Sequence, residues 1–282
     1  MNADAESRRV EEHETRGWLG WPTAHIAIWI VGLTTFLLLP WSIEGKALAV
    51  LHGLCAQQPD HSFYFGDARL PFDARMTGIY GGFLTSAALL LIRGRWRAGG
   101  LPPLRIGVTL VAFICLMGVD GLNSTLRDFG AWSLYEPRNA LRLASGLLTG
   151  AALCAFVWLL VAQTGFAARA RSRQPSIANV PELLTLLLAL GLFAAVVGAG
   201  WSPIRIPLTL LLMAAAFLII TGLSLAFVLL LSRSESRAQS TSDLARPATA
   251  ALVIALLIVG AMSGARFALE AWLGVPAAVG GI

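Results

Sequence analysis

Seven apolar runs, parted by short segments that carry arginine, govern what this chain can fold into. They cover about 22–41, 76–92, 103–121, 140–164, 181–200, 207–231 and 248–272. A helix rises 1.5 Å per residue, so a run of roughly 20 residues crosses the ~30 Å hydrocarbon layer of a bilayer. The run 207–231 would be about 37 Å long and would cross with some tilt; the run 76–92 is the shortest. Inside lipid each backbone N–H and C=O must find its partner within the protein, which leaves helices as the form of such runs. Composition points the same way, with 56% hydrophobic and 13% charged residues where a soluble domain carries about 25% charge. A soluble helical bundle of this size has nowhere to hide that much apolar side chain. The expected fold class is an all-α polytopic transmembrane helical bundle of about seven spans. Prolines punctuate it at Pro22, Pro40, Pro102, Pro103, Pro181, Pro207, Pro247 and Pro276, as suits first helical turns and helix ends.

Arginine placement sets the orientation. Arg8, Arg9 and Arg16 precede the first run; Arg93, Arg95 and Arg97 follow the second. Arg169, Arg171 and Arg173 follow the fourth, and Arg233, Arg237 and Arg246 follow the sixth. These segments share a side, which the positive-inside rule makes cytoplasmic. The N-terminus is therefore expected in the cytoplasm and the chain in the inner (cell) membrane, with 42–75, 122–139, 201–206 and the C-terminus outside. Trp21, Trp41, Trp201 and Trp272 stand at run ends as interfacial anchors. The first run has no small-residue cleavage site and reads as a retained anchor. The expected organisation is a tail at 1–20, a four-span core at 21–165 containing the outer loop 42–75, and three further helices in 166–282.

Several function classes drop out. The net charge of +5 sits in short clusters between apolar runs and forms no extended basic face, so nucleic acid is excluded as a partner. The only lysine, Lys46, lies outside the runs, against a retinal Schiff base within them. Only His25 approaches a run, against a haem held by two intramembrane histidines. No phosphate-binding glycine loop or hydrolase elbow occurs. Cys55, Cys115 and Cys154 make no disulfide framework. Small residues four apart at Gly78/Gly82, Gly146/Gly150 and Gly260/Gly264 read as close internal helix packing, with self-association as the alternative. Arg266 and Glu270 share one face of the last run and read as a pair that snorkels outward.

The outer loop concentrates the chemistry. His52, Cys55, His61 and Asp73 lie within one short stretch and offer the ligand types of a zinc site; Met76 would shift the preference toward copper. Their spacing matches no standard zinc pattern. The loop runs Leu54-Cys55, Gln57, Pro59, Ser62-Phe63, then Pro71, Ala74-Arg75, Thr77-Gly78-Ile79-Tyr80. Downstream come Asp120-Gly121-Leu122-Asn123 and Pro137, Asn139, Arg142-Leu143.

Over roughly 45–165 these motifs resemble a family of predicted membrane proteins, the domain of unknown function 2085. Its signature runs Leu-Cys-His-Gln, Pro-x-Arg-Ser-Phe and Pro-x-Cys-Ala-Arg-Cys-Thr-Gly-Ile-Tyr. Here the family's histidine is Ala56, its arginine is His61, and its paired cysteines are Asp73 and Met76. A site built on three thiolates would be dismantled. Either the metal or thiol chemistry is lost, which is the favoured reading, or it is rebuilt from His52, Cys55, His61 and Asp73. The resemblance leaves a polar framework of Gln57, Ser62, Arg75, Thr77, Asp120, Asn123, Asn139 and Arg142 at the outer face, where Arg75 and Arg142 are expected to find a carboxylate.

The expected role is a non-catalytic structural or accessory membrane component, partnered by lipid and by other membrane subunits or a second copy. No cofactor is expected. The alternatives are a zinc-, copper- or thiol-dependent enzyme with its site in the outer loop, and a carrier for a small solute or lipid.

Overall fold

Glycine decides how the centre of the bundle packs. In the computed structural model, which describes residues 23–275, a Cβ added at Gly82 would meet the Leu147 carbonyl, at Gly146 that of Arg75, and at Gly150 that of Ile79. Helices α3 (Ala74–Ile92) and α5 (Asn139–Gly165) therefore cross backbone to backbone, the geometry small residues permit in a membrane. Two of the three small-residue pairs read from the sequence are spent on this internal crossing. The third is not: a Cβ at Gly260 or Gly264 would meet nothing.

Around this pair stand α4 (Leu104–Asp128), α6 (Val180–Ala199) and α7 (Arg205–Leu231), with α8 (Ala245–Leu273) against α7. These six helices, α3 to α8, are long and apolar enough to cross a membrane. Their outward faces carry large apolar side chains such as Ile92, Leu104, Leu188 and Phe227, which lipid would cover.

The first apolar run behaves differently from the expectation. It forms α1 (Thr23–Leu38), which is shorter than the other six and about 24 Å long. The second run, shortest in the sequence, becomes the full 19-residue α3. The cause is local. Ser42 accepts a hydrogen bond from the Gly45 amide and starts a separate helix, α2 (Ile43–Val50). Buried Lys46 then donates from Nζ to the Leu37 carbonyl at 2.9 Å and closes the end of α1. Of the expected domain organisation, residues 1–20 lie outside the described residues.

The segments between helices are not all-α. At one end, β1 (Ser62–Phe65) and β2 (Ala68–Asp73) form an antiparallel hairpin in the register Ser62↔Asp73 and Tyr64↔Arg69. Its turn needs a left-handed residue, supplied by Gly66 at φ 64°. At the other end, β3 (Ala98–Gly100) and β4 (Ser172–Pro175) pair in parallel. There Arg95 grips Glu182 with both terminal nitrogens, at 2.6 and 2.7 Å, and Arg97 stacks over Trp96 and Phe166. The hairpin, the segment 129–138 and the C-terminal end of α8 gather at the first end. The arginine-bearing loops gather at the second.

Candidate functional site

Asp120 organises the ends of three helices. It is 3% exposed on α4, and a buried carboxylate is stable only with its hydrogen bonds supplied. Arg75, in the first turn of α3, donates to its Oδ2 from Nη2 at 2.6 Å and from Nε at 3.2 Å. The same Nη2 reaches Ser124 Oγ, one turn further along α4, at 3.1 Å. Ser145 on α5 donates to Oδ2 at 3.3 Å, and the Tyr135 hydroxyl donates to Oδ1 at 2.8 Å. Burial, then the bond to Asp120, raises the Tyr135 phenol above its ordinary value, so it stays a donor.

Asn123 delivers that tyrosine. Its Oδ1 accepts from the Leu134 amide at 2.6 Å and its Nδ2 donates to the Tyr135 carbonyl at 2.9 Å, folding 129–138 back over α4. At the start of α5, Asn139 Nδ2 donates to the Asp60 carbonyl at 3.1 Å, and Arg142 Nη1 donates to Asn139 Oδ1 at 3.0 Å. Arg142 Nη2 lies 3.2 Å from His61 Nε2. A guanidinium has no acceptor, so that imidazole nitrogen accepts and the ring is neutral. Burial, then the Arg142 charge, lowers His61 below its ordinary value. Ser62 Oγ donates to the Gln58 carbonyl and Thr77 Oγ1 to the Phe72 carbonyl.

The segment 52–73 forms a second, adjoining network. Asp73 caps α3 by accepting from the Met76 amide at 2.9 Å, and its other oxygen accepts from the Cys55 thiol at 3.3 Å. Cys55 Sγ also takes the amides of Gln57 and Asp73. Burial first, and the neighbouring Asp73 charge second, push the thiol up to about 12. Gln57 is buried at φ 54°. Its Nε2 donates to the carbonyls of Leu48 and Pro71 at 2.9 and 3.2 Å, and its Oε1 faces His52 Nδ1 at 3.0 Å.

The far nitrogen of His52 meets Glu270 Oε2 of α8 at 2.7 Å, and its ring stacks on Phe267 at 4.2 Å. Arg266 joins Glu270 through Nε at 2.8 Å and donates to the carbonyls of His52, Cys55 and Ala56. The last-helix pair thus turns onto the loop; the reading of it as an outward-snorkelling pair is corrected. The His52 ring and the carbonyls of His52, Cys55 and Ala56 take the place of the water an exposed pair would meet.

The candidate ligands part ways. Cys55 and Asp73 meet, while His52 turns to Glu270 and His61 to Arg142. Among the described residues no three His, Cys, Asp or Glu side chains are grouped as metal ligands would be. Of the expected framework, Arg75 meets Asp120 and Arg142 meets Asn139, with Ser124 and His61 joining these pairs, while Gln57, Ser62 and Thr77 bond to backbone carbonyls elsewhere. Arg142 finds neutral partners rather than the expected carboxylate. Sequence reasoning passed over Tyr135, Ser145 and the union of His52 with Glu270. Ser124 was in reach, since four-residue spacing from Asp120 puts both on one helix face.

Residues 55–156 match the family described as predicted membrane protein (DUF2085), the one whose motifs the loop, α3, α4 and most of α5 carry. No curated protein and no solved structure matches the chain. With six helices long and apolar enough to cross a membrane, the chain is an integral membrane protein.

Proposed function

We propose that this protein is a non-catalytic structural or accessory component of the cell (inner) membrane, with seven crossings, the N-terminus in the cytoplasm and the polar networks on the outer face. One observation carries the reading: every framework side chain makes at least one hydrogen bond inside the protein. Asp120 alone binds α3, α4, α5 and the segment 129–138. A site built for turnover keeps groups free for a substrate. This one closes helix ends and presents a rigid outer surface to lipid and to neighbouring subunits.

Removing one partner of a buried ion pair costs about 3–5 kcal/mol. Asp120→Asn should therefore lower the detergent melting temperature sharply, and Tyr135→Phe by less. Metal analysis after purification without chelator tests the enzyme reading. About one equivalent of zinc or copper, lost in Cys55→Ser, would replace the structural reading with a metal-dependent one.

A second reading rests on Arg142, which is buried and among the described residues has only neutral partners. A small anion or lipid headgroup at the outer interface would complete it. Phosphate or phosphatidylglycerol that raises the melting temperature of wild type, and not of Arg142→Gln, would favour it.

A further inference from the structure

We infer that His52 and Glu270 hold one proton between them, forming an imidazolium–carboxylate clamp that fastens the outer loop to α8. Counting hydrogens on the bonded atoms leads there. Gln57 Nε2 faces two backbone carbonyls, Leu48 and Pro71, and carbonyls only accept, so the orientation of the amide is settled. Its oxygen therefore faces His52 Nδ1, and Nδ1 must carry a hydrogen. A neutral imidazole has only one. Its Nε2 would then point a lone pair at Glu270 Oε2 from 2.7 Å, which repels. The second hydrogen must be present. Arg266 donates to the other oxygen of Glu270 and keeps that group a carboxylate, which places the proton on His52.

The surroundings make this proton consequential. His52 is fully buried, with Phe267 stacked on one face. From α8 the charged groups facing it are Glu270 and Arg266. On the loop, Cys55 and Asp73 bond to each other, and the Cys55 thiol keeps its hydrogen. On α2, Lys46 is turned to Leu37 and Glu44 to Arg205 at 2.9 Å. The other fastenings lie along the same stripe of α8: Ser263 Oγ accepts from the Gly53 amide at 3.0 Å and donates to the Val50 carbonyl at 2.8 Å. Ser263, Arg266, Phe267 and Glu270 follow helical spacing, so one face of α8 grips residues 50–56.

Two measurements on the full chain in lipid nanodiscs test this. In ¹⁵N-histidine spectra near pH 7.5, both ring nitrogens of His52, assigned by its loss in His52→Asn, should carry hydrogen. Glu270→Gln can accept from Arg266 and donate to a neutral His52, so there one bare ring nitrogen should appear. The Gly53 amide, bonded to Ser263 beside the clamp, should exchange more slowly in wild type than in Glu270→Gln at the same pH. A bare nitrogen on wild-type His52, or equal Gly53 exchange in the two proteins, overturns the inference. If Glu270→Gln does not fold, the wild-type spectrum alone decides.

Discussion

Cys55 shows how burial and a neighbouring charge set reactivity at a single residue. Its sulfur takes two backbone amides, which favour thiolate, yet desolvation and Asp73 outweigh them and hold the thiol up to about 12. Only a thiolate alkylates readily. Folded protein treated with a maleimide near pH 8 should leave Cys55 unmodified, and unfolding should expose it to full reaction; peptide mass mapping distinguishes it from Cys115 and Cys154. Asp73→Asn removes the charge while keeping an oxygen for the α3 cap, so it should speed the reaction. At this scale the sequence was a partial guide. It marked Cys55 and Asp73 in one loop and offered Asp73 only as a ligand of a rebuilt metal site, where its first task is to cap a helix.

Among elements, the α3–α5 crossing is the least forgiving. The added methyl of Gly150→Ala would run into the Ile79 carbonyl, and overpacking of that kind costs about 1–3 kcal/mol. The same change at Gly260 meets open space and gains helix propensity. Thermal melts in detergent should show Gly150→Ala clearly destabilised and Gly260→Ala unchanged or slightly raised. Both pairs carry the same spacing in the sequence. Only the path of a second helix separates a packing surface from a lipid-facing one.

For the whole molecule, the two ends of the bundle give the most direct test. Asp67 lies exposed in the β1–β2 turn and Gln174 exposed in β4 at the opposite end. In a background where Cys55, Cys115 and Cys154 are replaced by alanine, a cysteine at Asp67 should react with an impermeant reagent added to intact cells. One at Gln174 should react only after the membrane is broken. The reverse pattern would turn the proposed orientation over, and reaction at both without lysis would deny that these ends lie on opposite sides.

What the sequence determined by itself is the class of solvent and the partition of the chain. Runs of apolar residues demand helices in lipid, arginines mark the segments that gather at one end, and the polar motifs gather at the other. These follow from properties that act residue by residue, so they need no partner to be read. The tertiary structure decided which polar groups satisfy which. His52 and Glu270 stand 218 positions apart, and nothing local distinguishes Glu270 from a carboxylate that snorkels to water. Their union depends on α8 ending beside the loop. A buried charge takes whatever partner the helix crossings bring within reach, and here α8 is brought to the loop by its packing on α7 and by Gly53, where a Cβ would meet the backbone of Met262 and Ser263.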